Sequence, residues 1–249
     1  LNKYYLKRKK VFCTIHHIDE DNFSREKLNE FNDRDKYVDL YHSISQKTTK
    51  QLTKYTDKDI LTIPFWVNQK IWFELYNKDQ LRKNYGFSKE DYLIGSFQRD
   101  TEGYDLKSPK LSKGPDRLIE IIKKINLDKK NVKVVLSGKR RNYVINNLEK
   151  LNIDYKYFEM TNFKNLNELY NILDLYIVAS RYEGGPQSIA ECALTKTPII
   201  STDVGLASEI LSEESIFNMG NFLDAKPNID YAYNSIEKYK IPNGFEKFN

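Results

Sequence analysis

An α/β fold built on parallel sheets is what the sequence predicts, and three observations predict it. Short apolar runs rich in β-branched and aromatic residues recur along the chain, as at Tyr92–Phe97, Val132–Gly138 and Leu175–Ala179. Between them lie segments with helical spacing: in Pro115–Ile125, Leu118, Ile121, Ile122 and Ile125 fall on one side. The links are short and punctuated by Gly and Pro. Strands that alternate with helices in this way pair in parallel, because each crossover returns the chain to the same end of the sheet.

Taken in order, Lys10–Asp19 reads as a buried strand ending in polar groups. In the polar stretch Phe23–Lys36 that follows, Ser24 is suited to cap a helix. Val38–Ser45 is a second strand, Gln46–Tyr55 a short helix and Ile60–Phe65 a third strand, stopped by Pro64. The segment from Trp66 to Phe87 carries both tryptophans and leads to a second domain near Ser88. There Tyr92–Phe97 is the first strand, followed by a polar loop and the helix Pro115–Ile125. Val132–Gly138, the helix Arg140–Leu151, the strand Ile153–Glu159 and the helix Leu166–Leu173 lead to a central stretch.

That stretch, Asp174–Gly205, reads strand, loop, helix, strand. Leu175–Ala179 is buried, Ser180–Gly185 turns, and Pro186 suits the first position of the helix Gln187–Thr195 because it lacks the N–H that has no partner there. Pro198–Thr202 is the next strand. A short helix follows Gly205, and Pro227–Tyr239 is the last, with Tyr231, Ile236 and Tyr239 as its contacts.

The composition is that of a globular protein: 249 residues, 40% hydrophobic and 30% charged. A net charge of +5 is too diffuse to argue for nucleic acid, though it suits an anionic nucleotide or a membrane surface. Cys13 and Cys192 both fall in predicted buried segments, so no disulfide framework is implied and a reducing cytoplasm fits. No apolar run approaches the roughly 18 residues of a membrane span. The chain opens on Leu1 with a strand soon after, which reads as a piece of a longer chain. Asp33-Arg34-Asp35 and Asp57-Lys58-Asp59 match a cation-holding D-x-D, but both sit in charged loops and read as solvated surface. The histidines and cysteines have no zinc spacing, and neither a phosphate-binding GxxxxGK[ST] nor a GxSxG elbow is present.

The chemistry lies in the turn before Gln187. A loop at the carboxyl end of a parallel strand is where open α/β sheets bind ligands. Gly184 and Gly185 let a ligand approach the backbone, and the helix after them points free N–H groups and partial positive charge at the same spot. Glu183 stands before the helix and Glu191 within it, and Gln187 and Glu191 share a helix face.

S-R-Y-E-G-G-P-Q-S-I-A-E-C-A, followed by T-P-I-I-S-T-D-V-G, resembles the E-x7-E signature of retaining glycosyltransferases of the GT-B fold, family 4 (group 1). The resemblance implies a Rossmann-like C-terminal domain over residues 88–229. Residues 1–87 would be part of an acceptor-side Rossmann-like domain with its linker, and 230–249 a final helix returning towards it. Roughly a hundred residues of the acceptor side would then lie outside this chain. It implies Glu183 beside the donor sugar, Glu191 on the ribose hydroxyls, and the backbone of Gly184, Gly185, Pro186, Gln187 and Ser188 on the diphosphate. Gly-Gly-Pro stands where the family often has Gly-Phe-Gly, which changes the side chains at the sugar.

G-S-F-Q-R and K-G-P-D resemble the family's basic pair, giving Arg99 and Lys113 to the donor phosphates, with Lys110 the alternative to Arg99. T-I-H at Thr14–His16 resembles a T-x-H whose His lies near the donor sugar; the bland reading of His16 is a structural strand-end histidine. His17 would face the other way, and His42 reads as structural. The activity implied is transfer of a sugar from a UDP-, GDP- or ADP-sugar, with no cofactor or metal. The acceptor would be a sugar, a lipid-linked molecule or a polysaccharide, in polysaccharide or glycoconjugate synthesis, in the cytoplasm or at the inner membrane face. The alternatives are a non-catalytic nucleotide-sugar-binding domain and a sugar-nucleotide epimerase of the same architecture.

Overall fold

The computed structural model describes Leu6 and residues 9–104 and 106–242. The chain forms two compact units: Leu1–Phe65 with Tyr182–Pro186 and Val204–Leu206, and Trp66–Arg181 with Gln187–Asp203 and Ala207–Asn249. Of the segment expected over 230–249, residues 243–249 lie outside the described residues.

In the first unit β1 (Phe12–Ile15), β2 (Leu40–Ser43) and β3 (Ile60–Thr62) form a parallel sheet in the order β1-β2-β3. Helix α1 (Arg25–Asp35) joins β1 to β2, and α2 (Gln46–Leu52) joins β2 to β3. Both start where a serine hydroxyl accepts from a first-turn amide, Ser24 from Lys27 and Ser45 from Thr48. The cap stands in for the hydrogen bond that a helix start lacks. α1 is polar apart from one buried anchor, Phe31, which packs with Ile18, Val38, Tyr41 and Leu52 in a small core. Cys13, expected buried, is half-buried. Asp33 pairs with Lys36, and Asp35 accepts from Tyr41 and Thr56, so this D-x-D is spent on local structure.

The second unit holds six parallel strands: β4 (Tyr92–Ser96), β5 (Val132–Ser137), β6 (Asp154–Phe158), β7 (Leu175–Val178), β8 (Ile199–Thr202) and β9 (Ile216–Phe217). Their order is β6-β5-β4-β7-β8-β9. This is the doubly wound Rossmann order: the chain winds outward from β4 in one direction, then returns to β7 and winds the other way. Strands covered on both faces are mostly apolar, and every residue of β7 and β8 is buried, the Thr202 hydroxyl donating to the Ser180 carbonyl. The crossover helices are α4 (Pro115–Asp128), α5 (Asn142–Lys150), α6 (Phe163–Ile172) and α7 (Gln187–Thr195). α4 sets Leu118, Ile121 and Ile122 into the core against Ile94, Val134 and Ile177. Each such side chain contributes about 1.5–3 kcal/mol by leaving water.

The stretch from Trp66 carries α3 (Lys78–Asn84) and is pinned to this unit. Trp72 packs edge-on against Tyr170, Asn171 receives the Leu75 amide, and buried Arg82 bonds the Ile172 carbonyl and Asp174. After α8 (Ala207–Ile210), the expected last helix is α9 (Ile229–Ser235), tightening to a 3-10 turn over Ile236–Tyr239. Ile236 and Tyr239 are buried as expected. Tyr231 is not: it is 48% exposed, because it lies on the outer side of α9 from buried Ala232. No helix of the described residues is long and apolar enough to cross a membrane.

Candidate functional site

In the second unit the winding of the chain reverses between β4 and β7, and the carboxyl ends of strands at such a switch are where open α/β sheets bind ligands. Two predicted motifs meet at this place. The K-G-P-D segment is a 3-10 turn, Leu111–Lys113, then Gly114 in the left-handed conformation (φ +61°) and Pro115 opening α4. A side chain at Gly114 would stand 1.9 Å from the Ala179 carbonyl oxygen at the end of β7, so glycine is required for the turn and for the approach. The Arg181 amide donates to the Ser112 carbonyl at 2.8 Å. The Arg181 guanidinium forks onto Asp116 at 2.8 and 2.6 Å and also reaches the Leu111 carbonyl. That bidentate pair holds the Asp116 carboxyl below its ordinary value. Arg181, the second residue of the signature, joins the two loops.

Lys113 is thereby half-buried at the positive end of a 14-residue helix, beside Ala179–Arg181. Its carbonyl accepts from Gln98, the residue before Arg99. Arg99 itself is exposed, next to the buried Asp100. Asp100 anchors the base of this loop: its carbonyl takes the Lys110 amide, its carboxylate takes the Tyr143 amide at the start of α5, and Arg141 lies 3.3 Å away. Burial pushes the Asp100 carboxyl up to about 6 against the pull of Arg141.

On the β7 side, α7 begins at Gln187, so Pro186 takes the position before the first helical residue, one earlier than expected. Gln187 is exposed and Ser188 half-buried, its hydroxyl bonded to Tyr176. The Tyr176 hydroxyl also receives the Phe97 amide at 3.0 Å, linking the end of β4 to the first turn of α7. Glu191 is half-buried, and Tyr170 on α6 donates to its Oε2 at 2.5 Å. Burial pushes the Glu191 carboxyl up to about 7, and the Tyr170 hydrogen bond opposes the rise. The sequence reading missed both tyrosines because their roles depend on how α6 and β7 face α7.

In the first unit Glu183 is half-buried and Gly184 buried in the segment Tyr182–Pro186. A Cβ at Gly184 would stand 2.0 Å from the His16 carbonyl oxygen and 2.7 Å from Ile44 Cδ1, so only glycine lets this segment meet the end of β1. His16 is exposed, with its ring 5.8 Å from Phe65. His42 is structural: Nε2 lies 2.8 Å from the Ile63 carbonyl, which can only accept, so Nε2 bears the proton and Nδ1 faces the Thr14 hydroxyl. The structure thus gathers His16, Glu183 and Gly184 in one unit, and Arg99, Lys113, Gln187, Ser188 and Glu191 in the other. Among the described residues no group of three or more His, Cys, Asp or Glu is set to hold a metal ion.

Solved structures share this fold at low identity. Sucrose-phosphate synthase from Thermosynechococcus elongatus superposes with a TM-score of 0.73 at 13% identity, over 95% of this chain and 66% of its own. Anabaena HepE in complex with UDP and glucose gives 0.72 at 14%, over 95% and 69%. A glycosyltransferase from Rickettsia africae gives 0.66 at 17%, over 96% and 68%. The chain therefore spans about two thirds of the length of these proteins. No curated protein matches it in sequence. Residues 106–241, more than half the chain and including the K-G-P-D turn and the whole of α7, match the family described as Glycosyl transferases group 1. The chain belongs to that family.

Proposed function

We propose that the chain binds a nucleoside diphosphate sugar and transfers the sugar to an acceptor with retention of configuration. The observation that carries this is the stitching of Lys113–Asp116 onto Ala179–Arg181 at the strand-order switch, with α7 and Glu191 directly after. A cation, two helix starts and a carboxylate are thus supplied by neighbouring segments. In the transfer the bond between the anomeric carbon and the diphosphate oxygen breaks, and a bond to the acceptor oxygen forms. The acceptor's proton leaves with the diphosphate. Negative charge grows on the diphosphate as it departs, so Lys113, Arg99 and the N–H groups of Gly184, Gly185, Gln187 and Ser188 act mainly in the transition state. Glu191 accepts the ribose hydroxyls. Glu183 orients the sugar and stabilises positive charge at its anomeric carbon, and His16 lies on the sugar side.

HepE was solved with UDP and with UDP-glucose, so UDP-glucose is the first donor to test. Incubation with labelled UDP-, GDP- and ADP-glucose, following free or transferred glucose, is the experiment. One donor is consumed, and Glu183→Ala lowers turnover by about 10²-fold or more while nucleoside diphosphate affinity changes less than about threefold. A Glu183→Ala chain as active as the unchanged one overturns the role given to Glu183. A chain that neither binds nor consumes any of the three donors overturns the proposal.

A further inference from the structure

Helix α6 carries a hydroxyl that packing alone does not call for. Tyr170 is 1% exposed, and its ring lies 4.8 Å from Phe97, 5.4 Å from Tyr176 and 5.6 Å from Trp72. A phenylalanine ring would fill this aromatic nest as well. A buried hydroxyl costs free energy unless it is hydrogen-bonded. This one is spent on Glu191, at 2.5 Å. The backbones of the same two residues are joined as well: the Thr197 hydroxyl donates to the Tyr170 carbonyl at 3.0 Å and lies 2.7 Å from the Thr195 hydroxyl, which is 2.9 Å from the Glu191 carbonyl. α6 therefore grips α7 at Glu191 by two separate routes.

We propose that Tyr170 is a positioning residue for nucleotide binding: without touching the ligand, it fixes one oxygen of the Glu191 carboxylate and so presents the other to the ribose hydroxyls. This rests on the ribose role given to Glu191. The surroundings make the hydroxyl matter. Tyr170 from α6, Tyr176 from β7 and the neighbouring Cys192 all interact with Glu191, and each is raised above its ordinary value by burial and so neutral. Burial drives Glu191 towards its protonated form, and the Tyr170 hydroxyl is the hydrogen bond that resists. Without it, Glu191 is protonated over more of the neutral range and presents fewer acceptor lone pairs to a diol.

The test is calorimetric titration of the whole chain and its Tyr170→Phe variant with UDP, GDP and ADP, from about pH 6 to about pH 9. Tyr170→Phe binds about three- to tenfold more weakly at neutral pH, and the deficit shrinks towards the alkaline end, where Glu191 ionises unaided. A deficit of the same size at every pH shows that the hydroxyl does not act through the ionisation of Glu191 and overturns the inference, as does unchanged affinity throughout. The same substitution in a Glu191→Ala background, where no acceptor is left for the Tyr170 hydroxyl, separates the inference from the reading beneath it. Tyr170→Phe is then silent if it acts through the carboxylate. Equal loss in both backgrounds overturns the Tyr170 role alone. Glu191→Ala binding as tightly as the unchanged chain removes the ribose role and this inference together.

Discussion

Replacing Arg141 with methionine probes the footing of the loop that carries Arg99 and Lys113. The Arg141 side chain has no exposed surface and Asp100 keeps 3% of its own, with Nε and Oδ2 3.3 Å apart. Arg141 also donates to Ser96 at the end of β4. Methionine fills much of the volume but leaves Asp100 buried without its counter-charge. Breaking a buried pair from one side costs about 3–5 kcal/mol. In a chain of this length each kcal/mol moves the melting midpoint by about 2–4 °C, so a drop of about 6–20 °C is expected. The loss also depends on pH. Asp100 is raised by burial to about 6, so the folded state holds this proton more tightly than the unfolded chain does. Its contribution is fully present below about pH 4 and is lost as pH rises through about 6. Without Arg141 the carboxyl rises further, so the variant's deficit is larger at pH 8 than at pH 5. Urea unfolding of both chains at the two pH values is the assay. A deficit below about 1 kcal/mol at pH 8, or one equal at both, refutes the reasoning.

Gly114→Ala should be severe, since its Cβ would fall 1.9 Å from the Ala179 carbonyl oxygen and the residue sits at φ +61°. A stability loss of about 1–3 kcal/mol and nucleotide affinity at least about tenfold weaker are expected, read by thermal melting and calorimetry; intact affinity would show that the turn does not place Lys113. Glu191→Gln should alter the pH dependence of stability. The carboxyl, raised by burial to about 7, contributes stability that is present below about pH 4.5 and lost as pH rises through about 7. The unchanged chain should therefore lose about 3 kcal/mol across that window that the glutamine variant does not. Parallel urea titrations that show the same pH slope in both would contradict the raised carboxyl.

The parallel fold was legible because buried strands leave an unambiguous mark. Leu175–Val178 is apolar at every position, and the Gly-Gly-Pro after it allows only a turn before α7, whose span Gln187–Thr195 is the one read from the sequence. β9 was not legible: two residues, Ile216 and Phe217, carry no periodicity. α1 was hidden by its polarity, since one anchor, Phe31, gives no apolar stripe. At the site, the glutamates, glycines and basic residues stand out because their spacing along the chain carries the pattern. The groups that orient them do not. Tyr170 reaches Glu191, Arg141 reaches Asp100 and Arg181 reaches Asp116 only through the packing of separate elements. A local sequence pattern holds no record of such pairings.

The central claim is that the loops at the carboxyl ends of β4 and β7 hold a nucleoside diphosphate through Glu191. Calorimetry of the unchanged chain and of Glu191→Ala with UDP, GDP and ADP tests it most directly. Two hydroxyl hydrogen bonds to a carboxylate are worth roughly 1.5–3 kcal/mol each before the cost of removing water. The variant, folded as judged by its melting curve, should therefore bind the preferred nucleotide about ten- to a few-hundredfold more weakly. Equal affinity in a folded Glu191→Ala chain would contradict the account.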